Sequence, residues 1–322
     1  MNIKEYKENG IKFVEVESGN LKVTLCDLGA SIFSIYYYDD IMTLTPIDSK
    51  DFKKNTLYLG KTIGPIGNRV KDGKVEINNS IYKLDINEDT NSLHSGLSGL
   101  SNKFFSYKIK EEENVATITY YYVKKHLEDG LPGNLTYFVN YVIKNESIYL
   151  TFMTKSDEAT IVSLTNHTFF SLGEKNLDNI RLKIPARKYI HPNPSDLIPM
   201  EERKVNKVMS FRRLRYITDR INSPYLLNSK TNGYDHHYIF GKFLLKEIRL
   251  VSPKYELDIY TDFSGCQIYT CNYKTDAKLI GTEDTLHQGI AIEPQDSTLN
   301  REVLKKDTKY IRSISYSFKK RY

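Results

Sequence analysis

Apolar positions along this chain recur mostly at every second residue, and rarely at the three-and-four spacing of an amphipathic helix. "VATITYYYV" (Val115 to Val123), "YFVNYVI" (Tyr137 to Ile143) and "SIYLTFMT" (Ser147 to Thr154) are rich in β-branched and aromatic residues. Such side chains pack well on a pleated surface, so these runs predict strands. Short polar breaks part them: "KNE" (Lys144 to Glu146) between two runs, and "EEEN" (Glu111 to Asn114) between "FFSYKIK" and the first. "KVEINNSIYKL" (Lys74 to Leu84) turns at Asn78-Asn79 and predicts a further hairpin. "SPYLLNSK" offers one helical turn. No repeat, low-complexity linker or composition shift divides the chain. The pattern predicts an all-β protein, a large antiparallel β-sandwich, in a single domain over residues 1–322.

Composition sharpens this. With 322 residues, 40% of them hydrophobic, the chain can bury a sizeable core, and all-β folds of this length often form one unit. Its 25 tyrosines suit a sandwich, because a ring can be buried while the hydroxyl stays wet. The formal charge is +6, from 46 basic and 40 acidic residues. Basic residues gather in "FRRLRY" (Phe211 to Tyr216) and near the C-terminus, yet no nucleic-acid-binding module accompanies them, so they predict solvated faces. Three cysteines, Cys26, Cys266 and Cys271, make neither a disulfide framework nor a zinc site. The N-terminus lacks an apolar signal region, and no run is long enough to span a membrane. A reducing, cytoplasmic setting is expected.

Several chemistries fail on spacing. "LGKT" (Leu59 to Thr62) lacks the glycine five positions before Gly60 that a phosphate loop needs, and no G-x-S-x-G elbow occurs. In "YDHHYIF" (Tyr234 to Phe240) the adjacent His236 and His237 should point to opposite faces of a strand, so no three-ligand metal site is expected there. What remains are polar residues in apolar or Gly-rich settings. His167, in "LTNHTFFSL" (Leu164 to Leu172), fits a satisfied core histidine or a group facing a groove. His94 lies in the turn-rich "NSLHSGLSG". Asn68 and Arg69 follow glycines in "GPIGNRV", where Arg69 is either a surface charge or a fork for hydroxyls or a carboxylate. Glu293 follows the apolar run Ile290 to Ile292. It is either a strand-end surface carboxylate or a general base whose pKa is raised by desolvation.

Together, and in order, these segments resemble the aldose 1-epimerase (galactose mutarotase) family. "GPIGNRV" is similar to the family's G-R-x-x-N-R-I, "NSLHSG" to its N-x-L-H-G-G loop, and "LTNHTFFSL" to L-T-N-H-S-Y-F-N-L. "EDGLPGNL", "GYDHHYIF", "CQIYTCNY" and "IAIEPQDSTLN" follow the family's later elements, from about Asn20 to the C-terminus. Pro65, Ser95 and Ser297-Thr298-Leu299 depart from the pattern, as does the loop "HPNPSDLIPM", mostly at pocket rims. The resemblance implies a galactose mutarotase-like supersandwich with an open groove, acting on a small-molecule sugar. It implies no metal or organic cofactor, no nucleic-acid or membrane partner, and a monomer or homodimer. It carries over Asn68, Arg69, His94, His167, Asp235, Gln267 and Glu293 as sugar-site residues, and leaves the roles of His236 and His237 open.

The reaction so implied interconverts the anomers of a free aldohexose such as galactose or glucose. A base takes the proton of the C1 hydroxyl while an acid protonates the ring oxygen; the aldehyde turns about C1–C2 and the ring recloses. Glu293 is the expected base and His167 the expected acid, kept protonated by the neighbouring carboxylate. His94 and Arg69 are expected to donate to sugar oxygens, and Asp235 and Gln267 to accept from or bridge hydroxyls. Phe169 and Tyr234 are expected to stack on the sugar. Three rivals stand beside this: a hexose-phosphate 1-epimerase drawing on Lys61 or "FRRLRY", a non-catalytic carbohydrate-binding protein on the same fold, and a glycosidase pairing Asp235 with Glu293.

Overall fold

The computed structural model describes residues 1–54, 56–227, 229–241, 246–275, 277–282 and 285–322. The expected strands are present at Val115–Lys124, Leu135–Lys144 and Ser147–Lys155. They are central to a nine-stranded sheet that begins at Ser106–Glu112 and continues through Lys309–Lys320, Tyr255–Thr261, Glu247–Val251, Arg181–Lys183 and Arg215–Tyr216. Each neighbouring pair runs antiparallel. Leu135–Lys144 alternates buried and half-buried residues along its whole length, as period-two patterning requires when one face meets a core. The predicted hairpin forms from Lys74–Ile77 and Ser80–Lys83, and Pro224–Leu227 makes the predicted helical turn; a second short helix spans Ser49–Lys53.

A second antiparallel sheet has six strands, in the order Phe169–Phe170, Ile290–Gln295, Gly265–Tyr269, Asp235–Phe240, Ala186–Pro192 and Pro199–Lys204. A five-stranded sheet runs from Asn2–Glu8 to Asp40–Ile41. All three contribute to one large apolar cluster, which includes Val14, Tyr141, Phe170, Ile268, Ile292 and Tyr316. Phe170 of the six-stranded sheet meets Tyr316 of the nine-stranded one with ring centroids 5.5 Å apart, and Tyr141 donates its hydroxyl to the Ala30 carbonyl at 2.8 Å. This is the large antiparallel sandwich that the alternation predicts. Among the described residues no helix is long and apolar enough to cross a membrane. Cys26, Cys266 and Cys271 are buried free thiols.

Ile290–Gln295 differs from the outer strands because all six of its residues are buried. Ile290 and Ile292 enter the main core, while Ala291 belongs to a separate apolar cluster on the opposite face. Glu293 shares parity with Ala291, so the pleat turns its carboxylate away from the main core. It lies inside the strand, which continues through Pro294 and Gln295, and not at the strand end expected from the apolar run.

His167 interrupts two short pairings: Thr165–Asn166 with Thr62–Ile63, and Phe169–Phe170 with Ile290 and Ala291. Gly60 fixes that interruption. Its amide donates to the His167 carbonyl at 3.0 Å, and its carbonyl accepts from Asn166 Nδ2 at 3.0 Å and from the Ile32 amide at 2.9 Å. Gly60 has φ +67°, and a Cβ there would lie 1.7 Å from the Ile32 carbonyl oxygen. Gly60→Ala is therefore expected to destabilise the fold by about 2 kcal/mol, from the left-handed backbone and the overlap together. Thermal unfolding of the two proteins measures this, and equal melting temperatures would contradict it.

Candidate active site

The six-stranded sheet sets its groove-facing side chains in rows. His237, Gln267 and Glu293 are register neighbours across three adjacent strands, and Asp235 and Tyr269 lie in the next row. Loops and the short paired strands Arg69–Val70 and Ser92–Leu93 bring Tyr58, Asn68, Arg69, Glu88, Leu93 and His94 to the same pocket, and His167 joins its wall. The result is a pocket of about 170 Å³. All seven residues expected from the sequence, Asn68, Arg69, His94, His167, Asp235, Gln267 and Glu293, line it.

At its floor His167 Nε2 lies 3.4 Å from Glu293 Oε1, with both side chains buried. Glu293 Oε2 is buried and has no hydrogen-bond partner, so one carboxyl oxygen is free to accept a ligand hydroxyl. Burial drives the two groups in opposite directions. It pushes the His167 imidazolium down to about 4. It raises Glu293 well above the usual carboxylate range, with the charge of Asp235 adding to the effect and Arg69 opposing it. The expectation that Glu293 keeps His167 charged is therefore corrected. Desolvation favours the neutral imidazole beside a protonated carboxyl. The pair still holds one proton, because moving it from carboxyl to imidazole changes no count.

His94 packs edge-on to His167, with centroids 5.2 Å apart, and to Tyr58 at 4.8 Å. Its Nδ1 accepts the Asn68 amide at 3.2 Å, which places the ring proton on Nε2. Burial first, then the charges of His167 and Arg69, hold it well below its ordinary pKa. His94 is thus a neutral donor. Asn68 also caps the Arg69 amide with its Oδ1 at 2.7 Å.

The Arg69 guanidinium is gripped from two sides. Nε and Nη2 donate to Glu88 at 2.6 and 2.8 Å, and Nη1 reaches Asp235 Oδ2 at 3.5 Å. Burial alone lowers its pKa, but Asp235 and Glu88 together raise it. Asp235 also accepts from Gln267 Nε2 at 2.5 Å. Burial nonetheless raises Asp235 against the pull of Arg69 and Gln267.

One ligand atom each from His94, His167 and Glu293 lies within 4.8 Å of the others, a spacing that a cation could bridge. The hydrogen bonding argues otherwise. His94 Nδ1 is already bound and its Nε2 carries the proton, so neither nitrogen offers a free lone pair. His167 Nδ1 is buried with no acceptor, whereas a metal-bound histidine ordinarily donates from its far nitrogen.

Two expected stacking partners are corrected. Tyr234 is fully buried on the far side, its ring 5.0 Å from Phe211 and its hydroxyl on the Val208 carbonyl. It precedes Asp235, so strand parity turns it away from the groove. Phe169 packs beneath His167 at 5.2 Å and does not line the pocket. The aromatic walls are Tyr58, Tyr269 and Tyr273. Tyr269 was findable from sequence, since it lies two residues past Gln267 on the same face; Tyr58 and Glu88 carry no such signal. Lys61 is buried over the Phe52 ring, and Arg212, Arg213 and Arg215 line a separate depression. His236 packs against Tyr189, and its Nδ1 accepts the Asp235 amide at 3.1 Å.

Comparison with known proteins follows the same lines. The family model described as aldose 1-epimerase matches residues 12–317. Galactose mutarotase of Homo sapiens is 24% identical over 297 residues, 88% of this chain and 84% of that protein. Aldose 1-epimerase of Haemophilus influenzae is 31% identical over 229 residues, 67% of this chain and 64% of that protein. The crystal structure of galactose 1-epimerase from Lactobacillus acidophilus superposes with a TM-score of 0.88 at 22% identity, covering 100% of this chain and 99% of the other, and shares the fold.

Proposed function

The chain belongs to the aldose 1-epimerase family and interconverts the α and β anomers of aldoses, and on that premise we propose that its substrate is a free hexose opened by Glu293 and His167. Glu293 takes the C1 hydroxyl proton, C1 becomes the aldehyde as the C1–O5 bond breaks, and His167 delivers its proton to O5. Rotation about C1–C2 and the reverse transfers then close the other anomer, so no proton is gained or lost overall.

The observation that carries this reading is the 3.4 Å contact between His167 and Glu293 inside one buried pocket. Burial favours the neutral form of the pair. A sugar hydroxyl donating to Glu293 and a ring oxygen accepting from His167 stabilise the charged arrangement, because each charge then gains a hydrogen bond. His94 supplies a fixed donor beside them. Asp235 and Gln267 hold each other and accept from or bridge hydroxyls, Asn68 and Arg69 position the ring, and Tyr58 and Tyr269 offer faces to its C–H side.

A free sugar is favoured over a phosphorylated one because Arg69 is the one cation among the described lining residues and two carboxylates already hold it. The glycosidase rival is disfavoured because Asp235 is tied to Gln267 and Arg69. A single domain over residues 1–322 is part of the same proposal, supported by a core drawn from Val14 to Phe318. So is a reducing, cytoplasmic setting, which suits three free thiols.

The test follows the optical rotation of freshly dissolved α-galactose and α-glucose with purified protein. Acceleration is expected for both; sugar binding without acceleration would support a carbohydrate-binding role and end the catalytic reading. Run across pH, the blank-corrected rate should show a plateau where the pair carries one proton. His167 has a depressed pKa, so it stays neutral until pH falls to about 4 and then takes a second proton, giving the acid limb. Glu293 has a raised pKa, so the pair keeps its only proton well past the ordinary carboxylate range, and loses it on the alkaline limb. A midpoint of the acid limb near 6.5 would contradict the burial argument.

A further inference from the structure

Glu88 lies in the polar segment Asn87 to Thr90, outside every element that carries the proton-transfer pair, yet its carboxylate lines the pocket. Both its oxygens hold Arg69, and its side chain is 30% exposed. Among the described residues the pocket lining therefore holds three carboxyl groups, Glu88, Asp235 and Glu293, against one guanidinium. Lys230 is itself held by Asp89, the residue after Glu88, at 2.7 Å. The ion pair of Arg69 with Glu88 cancels the positive charge, and Asp235 is left over.

Resting on the epimerase reading above, we infer that Glu88 sets the charge selectivity of this site, admitting neutral aldoses and aldoses that carry a protonated amine while turning away anionic ones. An ammonium group entering beside Glu88 meets carboxylate oxygens with lone pairs to spare, since each accepts only one bond from Arg69. A carboxylate or phosphate elsewhere on the sugar, as at C6 of galacturonate, enters a pocket whose net charge is already negative, and the cation that could receive it is already engaged. The amine takes no part in the proton transfers of ring opening. The C1 hydroxyl and O5 are the reacting atoms in both sugars, and the proton balance is the same. The amino sugar is thus a second substrate class for the same site.

The experiment compares galactose, galactosamine and galacturonate by optical rotation at about pH 6, where an amine of this kind is protonated. For the unaltered protein, kcat/KM for galactosamine should equal or exceed that for galactose. That for galacturonate should fall about tenfold or more below it, the scale of one partly screened charge. Glu88→Gln should lower the galactosamine-to-galactose ratio about tenfold and raise the galacturonate-to-galactose ratio, while Glu88→Asp should keep both ratios near the parent's. Added salt should compress the ratios of the parent and leave those of Glu88→Gln unchanged. N-acetylgalactosamine, neutral at the same position, separates charge from bulk. Ratios that do not move in Glu88→Gln overturn the assignment, as does a parent that handles galacturonate as well as galactose. If galactose itself is not accelerated, the epimerase reading fails and the inference falls with it; if galactose is accelerated and only the ratios are flat, the charge assignment alone is wrong.

Discussion

Glu293→Gln is expected to lower kcat/KM for α-galactose about a thousandfold, within the usual span for loss of a positioned proton acceptor. The amide keeps the shape of the carboxyl and can still hydrogen-bond a hydroxyl, so sugar affinity by calorimetry should change only a few fold. A loss confined to KM would mean that Glu293 binds and does not react. The same substitution should stabilise the fold. Burial raises the Glu293 pKa above its unfolded value, so the unfolded chain releases that proton more readily. The stability tied to the protonated form is complete below about pH 4.3 and is lost as pH rises through the folded value. Glu293→Gln has no such loss. Its melting temperature should therefore exceed the parent's by a margin that widens from pH 5 to pH 8. A constant margin, or a less stable variant, would show that Glu293 is not the strained buried acid described here. Gaining stability while losing activity is the expected signature of a carboxyl kept in place for chemistry.

The degree to which sequence alone reaches this site depends on which physical rule places each residue. Period-two alternation is local, so the strands, their antiparallel order and the parity of Gln267 and Glu293 are all visible in the chain. The same parity shows that Tyr234 must oppose Asp235, and ignoring it put that ring on the wrong face. His167 is visible because an imidazole inside an apolar strand needs a reason. Its charge state is not, because the shift comes from how fully the assembled sheets exclude water. Glu88 is invisible for a different reason. Within "INEDTN" it is indistinguishable from a solvated acid. It meets Arg69 only because Asn87 folds the loop onto Leu93, with its Oδ1 accepting the Leu93 amide at 2.7 Å, and because Ser92–Leu93 pairs with Arg69–Val70. Such tertiary contacts leave no periodic trace.

His167→Asn carries the complementary expectation. Asparagine can donate to the ring oxygen but cannot give up a proton near neutral pH, so kcat should fall about 10²–10⁴-fold with KM little changed. Its pH profile separates a proton donor from a scaffold. In the parent the acid limb belongs to the second proton entering the pair, near pH 4. Without the imidazole only one ionisation remains, that of Glu293, and the residual rate should rise with pH as that carboxyl deprotonates and then level off, with no alkaline limb. Imidazole added to the solution should restore part of the rate if the deleted side chain leaves a space in the buried wall beside His94 and Phe169, and the restoration should track the concentration of the protonated buffer. A His167→Asn protein that keeps the parent's two-limbed profile would move the acid elsewhere, with His94 as the next candidate. That transfer is physically disfavoured, because the Asn68 amide holds His94 Nδ1 as an acceptor and burial keeps the ring neutral, so it can donate a hydrogen bond but has no spare proton to give.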